Sequence, residues 1–114
     1  MRRVPDPPHV VVQRLTDAFN KQDLDAVSLC LAANCVVANH GGETVQVGAP
    51  AICAQYAAAF EERPKARISL MGRMVQGHKV VQHEAVNRGL TSADRRIAIY
   101  TVAGEKVTRV EFLR

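Results

Sequence analysis

Between His9 and Asn20 the apolar residues Val11, Leu15, Ala18 and Phe19 recur at i, i+4, i+7 and i+8, with Gln13, Arg14 and Asp17 between them. That spacing puts one apolar stripe on a helix. Ahead of it, Pro5, Pro7 and Pro8 predict an extended, flexible leader over residues 1–8, with a single domain from 9 to 114. NKQD interrupts the first helix. Asp23 is then placed to cap a second, shorter helix over LDAVSLCLA, with Asp25 favourable in its first turn. The stretch NCVVANHGG changes period. Cys35 to His40 predict a strand with Val37 and Asn39 on one face and Val36, Ala38 and His40 on the other. GGETVQVG reads as a turn and a short returning strand. Pro50 opens a third helix whose stripe is Ile52, Cys53, Tyr56, Ala57 and Phe60, ended by EERPK before Pro64.

From Ile68 onward the period is two. Ile68, Leu70, Gly72 and Met74 alternate with Ser69, Met71, Arg73 and Val75, and QGHK supplies a turn. VVQHEAVNRGL continues as a long strand, and RRIAIYTVA and KVTRVEFLR follow, joined by the turn GE. Three helices and then four long strands in an antiparallel meander predict an α+β domain, with helices covering one face of a curved sheet.

Composition narrows the picture. A chain of 114 residues suits one domain, and 47% apolar with 23% charged residues is the balance of a globular protein. No apolar run approaches the ~20 residues of a membrane span. MRRVPDPPH starts with positive charge but has no apolar signal core behind it, so a cytoplasmic protein is expected. Cys30, Cys35 and Cys53 are odd in number and fit no zinc spacing, which makes them small buried hydrophobes and leaves no metal or cofactor expected. His40, His78 and His83 lie on three separate elements, and GGETVQVG lacks the spacing and lysine of a phosphate loop. The net charge of +4 is scattered among only five aromatics, which argues against a nucleic-acid partner.

The segment VVQRLTDAFNKQDLDAVSLCLAANCVV resembles the opening helix pair of the nuclear transport factor 2-like superfamily, SnoaL-like branch. GAPAICAQYAAAF is similar to that family's glycine-led third helix, and GEKVTRVEFLR to its closing strand; the resemblance covers residues 10–114. It implies a cone-shaped, strongly bent, mostly antiparallel sheet wrapped around the three N-terminal-half helices, with an apolar pocket inside. It also implies a homodimer through the outer sheet face. Within this superfamily, ketosteroid isomerases shuttle a proton, and SnoaL-type polyketide cyclases close rings. The isomerase-like branch needs a tyrosine on the first helix, an aspartate base ending the first strand, and a protonated aspartate on a later strand. The resemblance puts Leu15, Asn39 and Ala98 at those positions. Leucine and alanine cannot donate to an enolate oxygen, and an amide cannot take a proton from carbon. Steroid isomerisation by that mechanism is not expected.

The same alignment turns Val81, His83, Ala85 and Asn87 toward the pocket and Val80, Gln82, Glu84 and Val86 outward. His83 would then be the one titratable group deep in the cone, a base near neutral pH, with Asn39 holding a substrate oxygen. Tyr56 and Tyr100 are proton-donor candidates that equally suit core rings. Alternation points His40 outward into a turn, unless a bulge re-aims it. Leu15, Phe19, Phe60, Ala98, Asn87 and Val110 are expected to line the ligand, with Arg73, Arg88 and Arg109 on the solvated or dimer-facing side. Two readings follow. One is a pocket for a small hydrophobic molecule, extending to acid–base isomerase or cyclase chemistry. The other is a non-catalytic dimeric binding or interaction module, favoured by the lack of a carboxylate on the expected inner face.

Overall fold

The computed structural model describes residues 4–87 and 94–114. Its elements are α1 (Pro8–Lys21), α2 (Leu24–Cys30), β1 (Leu31–Asn39), β2 (Thr44–Val47), α3 (Ala49–Glu62), β3 (Arg67–Gln76), β4 (Lys79–Asn87), β5 (Asp94–Ala103) and β6 (Lys106–Leu113). Residues 88–90, expected to prolong the β4 strand, lie outside the described residues, as does Arg88. No helix among the described residues is long and apolar enough to cross a membrane.

Pro8 opens α1, where its missing N–H costs nothing, and the stripe Val11, Val12, Leu15 and Ala18 is buried. Gln22 ends the helix in the left-handed region at φ 54°, and its Nε2 donates to the carbonyl of Arg63 just past α3. The Asp23 carboxylate accepts from the Ala26 N–H at 3.1 Å, the cap expected from sequence. Asn20 behaves like a strand partner: its amide donates to the Ile68 carbonyl at 3.0 Å and accepts from the Ile68 N–H at 2.7 Å. The end of α1 is thereby pinned to the start of β3. At the other end, the Asp6 N–H donates to Glu105 in the β5–β6 turn.

The second helix stops earlier than its sequence suggests. Leu31 is already extended and pairs in parallel with Val107, so β1 starts four residues before the expected Cys35. Ladder hydrogen bonds and burial of Leu31 outweigh the high intrinsic helical preference of Leu-Ala-Ala, which amounts to only tenths of a kcal/mol per residue.

The sheet runs β2-β1-β6-β5-β4-β3, open at both edges and antiparallel except where β1 meets β6. Register shifts at Val37/Ala38, Leu70/Gly72 and Thr101/Val102 each add local twist, which bends the sheet around the helices. The result is the α+β cone expected from the sequence. Its core joins Val11, Val12, Leu15, Val27 and Ile52 of the helices to Val80, Ala98, Tyr100, Val102, Val107 and Val110 of the strands.

The phase of β4 is opposite to the expectation. Val80, Gln82, Glu84 and Val86 point inward and are buried, while Asn87 is exposed and Val81 and His83 are half-exposed on the outer face. The cross-strand partners agree: Val80 sits opposite Tyr100 and Gln82 opposite Ala98, whereas His83 sits opposite Ile97 and Val81 opposite Ile99. Arg73, expected on the solvated side, also turns inward, because it stands opposite Gln82 and donates to its Oε1. Arg109 lies outside, paired with Glu111 at 3.0 Å.

Candidate functional site

With β4 turned this way, a polar chain crosses an otherwise apolar interior. Arg73 donates to Gln13 of α1 at 2.5 Å and to Gln82 at 2.6 and 3.0 Å. Gln82 Nε2 passes the chain to Glu84 at 2.7 Å. Glu84 is fully buried (0% exposed) and also accepts from the Tyr100 hydroxyl at 2.6 Å and from Arg96 Nε at 2.9 Å. Burying a carboxylate is tolerable only when donors replace its water, and here three do so. Among the described residues no buried side-chain nitrogen or oxygen lacks a partner. Tyr100 is held well above its ordinary pKa, first by burial and then by the adjacent Glu84 charge. It is a fixed donor to Glu84.

Arg96 connects this network to a recess of about 290 Å³ between α3 and the β1–β6–β5 part of the sheet, at the lower end of the ~300–1,000 Å³ usual for small-molecule sites. The Arg96 guanidinium stacks on Phe112, its Cζ 4.2 Å from the ring centre. Aromatic rings make much of the wall. Tyr56 and Phe60, one helical turn apart on α3, stack at 5.9 Å, and Phe19 of α1 meets both edge-on at 5.7 and 5.3 Å. Val37 and Asn39 of β1 contribute a side chain each, as do Ile52 and Val86. Asn39 makes no side-chain hydrogen bond among the described residues, so its amide remains available as donor and acceptor. Burial pushes the Tyr56 phenol above its ordinary value, with Glu84 adding to the shift and Arg96 opposing it. Neither tyrosine supplies a base near neutral pH.

Several sequence-derived candidates therefore meet at this recess: Asn39, Tyr56, Phe19 and Phe60. Leu15, Ala98, Val110 and Tyr100 are buried in the core behind it and are not part of its wall. His83 and Asn87 are corrections. The β4 phase puts His83 on the outer face and leaves Asn87 exposed. His40 follows Asn39 into a tight turn, where the Asn39 carbonyl accepts from Gly42 and Gly41 supplies φ 69°. Its Nδ1 lies 3.0 Å from Glu111 on the outer side, and that bond, together with Arg109, lowers the Glu111 pKa. Glu84 and Arg96 are the residues that sequence reasoning missed. The available signal was pairing: an acid and a base on adjacent strands, each two or four residues from an apolar inner position. Among the described residues, no cluster of three or more His, Cys, Asp or Glu could hold a metal ion.

Residues 12–110 match the family model of the SnoaL-like domain. The chain is similar in structure to an uncharacterised cystatin-fold protein from Novosphingobium aromaticivorans, with 27% identity and TM-score 0.90 over 96% of this chain and 99% of that one. It is similar to a candidate polyketide cyclase from Sinorhizobium meliloti, with 24% identity and TM-score 0.78 over 91% and 94% of the two chains. A hypothetical protein of ketosteroid isomerase-like fold from Catenulispora acidiphila, in complex with trimethylamine, matches at 16% identity and TM-score 0.74 over 96% and 87%. No curated protein sequence matches the chain.

Proposed function

The chain belongs to the SnoaL-like domain family, and on that premise we propose that it is a binding domain for one small hydrophobic molecule, held in the recess between α3 and the sheet. The observation that carries the reading is the ring wall of Phe19, Tyr56, Phe60 and Phe112, with Asn39, Arg96 and other polar side chains set among the rings. Such a wall offers apolar burial for affinity and a few fixed polar contacts for orientation.

Proton-transfer chemistry has weak support. His83 is on the far face, and the phenols of Tyr56 and Tyr100 are held protonated. Glu84 is an inner carboxylate, which the sequence reading lacked, yet its oxygens are occupied by Arg96, Tyr100 and Gln82. Asn39 orients a bound oxygen in this account and takes no proton.

The binding reading is tested by calorimetric titration with the neutral apolar probe cinnamyl alcohol. Wild type should bind it, and Ala59→Trp should not, because Ala59 lines the recess from an exposed position on α3 and an indole there fills the space. Equal binding by both proteins, or none by wild type, contradicts it.

A homodimer through the outer sheet face is part of the same proposal. Met74, Val81, Ile97 and Ile99 share that face by register, and Met74 is 70% exposed. An apolar face of this kind is self-complementary under a two-fold axis. Sedimentation equilibrium should give a dimer for wild type and a monomer for Met74→Glu; a monomeric wild type refutes it.

A further inference from the structure

Arg96 occupies an unusual position for a residue whose only task is to neutralise Glu84. Its side chain is 12% exposed, it lines the recess, and only its Nε is bonded to the carboxylate. The two terminal nitrogens, with four of the five guanidinium N–H groups, have no hydrogen-bond partner among the described residues. The Nε bond to Glu84 and the stacking on Phe112 fix the plane of the group from two directions. Glu84 in turn shares its charge with Tyr100 and Gln82. Arg114 also lines the recess, its Cζ 5.3 Å from the Phe112 ring centre. The site thus combines apolar rings and a held guanidinium fork.

We propose that the recess selects hydrophobic molecules bearing a carboxylate, and that Arg96 is the specificity-determining residue that grips it. The inference rests on the binding reading above and names its ligand class. A planar guanidinium matches the two oxygens of a carboxylate bidentately, and a site already lined by rings favours an acid attached to an aromatic or similarly flat apolar body. With one guanidinium held in place by Glu84 and Phe112, the fit is to a monocarboxylate rather than to a heavily hydrated polyanion. Asn39 stands in the same lining and can donate to the same head group.

The test compares two probes of nearly the same shape, cinnamate and cinnamyl alcohol, by calorimetry on the full chain. Wild type should bind cinnamate about tenfold or more tightly, as expected for a charge-assisted contact. In the double variant Arg96→Met/Glu84→Gln, which leaves no unpaired buried charge, the preference should vanish while cinnamyl alcohol still binds. If wild type binds both probes equally, the carboxylate inference is overturned and the binding reading stands. If neither probe binds wild type, both are overturned. If the preference persists in the double variant, the anion is held elsewhere and the role of Arg96 is refuted. The wild-type comparison decides the ligand class even if the double variant fails to fold.

Discussion

Replacing Arg96 by methionine should be among the more destabilising single changes to this protein. The substitution keeps an apolar stem against Phe112 but removes the cation that faces a carboxylate with no exposed surface. Breaking a buried pair from one side typically costs ~3–5 kcal/mol, because the remaining charge is left without its partner. Tyr100 and Gln82 still donate to Glu84, and Arg96 is not wholly buried, so the lower end, about 3 kcal/mol, is expected. That is a large part of a total stability that for domains is about 5–15 kcal/mol. Glu84→Gln on the same background should recover much of the loss, since an amide in the same place carries no charge to compensate. A double-mutant cycle by urea denaturation, followed by circular dichroism, should therefore show strong coupling, about 2 kcal/mol or more. Two mild, additive single effects of under about 1 kcal/mol each would mean that Glu84 is in water. The inward phase of β4, and the site built on it, would then be wrong.

Three further outcomes follow from the same geometry. Both phenols are raised above the ordinary 10.0 by burial, so tyrosinate absorbance should lag behind that of free tyrosine as pH rises. Because the folded state resists ionisation that the unfolded chain accepts, the phenols' contribution to stability should be constant below pH ~10 and fall above it; ordinary native titration of both rings would contradict this. Cys35 is fully buried, with its thiol pushed up to about 11, and Cys30 is nearly as buried. At most Cys53 should react with a thiol reagent in the native protein, whereas all three should react in urea; fast reaction of two or three native thiols is the opposing result. His83→Ala and His40→Ala should leave cinnamyl alcohol affinity unchanged, since one side chain is on the outer face and the other bonds Glu111. A tenfold loss in either would return a histidine to the site.

The sequence carried its periods well and one phase poorly. The stripes of α1 and α3, the Asp23 cap and the Pro50 start are local features, set by residues a few positions apart, and the structure repeats them. The strand β4 is different. Its two faces read Val-Gln-Glu-Val and Val-His-Ala-Asn, nearly equal in apolar content, so alternation says that it is a strand without saying which side is wet. What decides is non-local: Gln82 and Glu84 find Arg73 on one neighbouring strand and Arg96 and Tyr100 on the other. Polar residues become interior ones only when such partners exist, and those partners lie 9 to 16 positions away in sequence. Asn39 was legible for the reverse reason. It closes a strand at a Gly-Gly turn, where its own N–H donates to the Glu43 carbonyl and its carbonyl accepts from Gly42, both local contacts.

The central claim is that the ring-walled recess is where a small molecule binds. Amide NMR spectra of the full chain, recorded during a cinnamate titration, test it most directly. Saturable shifts centred on Asn39, Tyr56, Phe60, Arg96 and Phe112 are the predicted result. Shifts confined to the outer face around Val81, His83 and Ile99, or none at millimolar probe, would contradict the account.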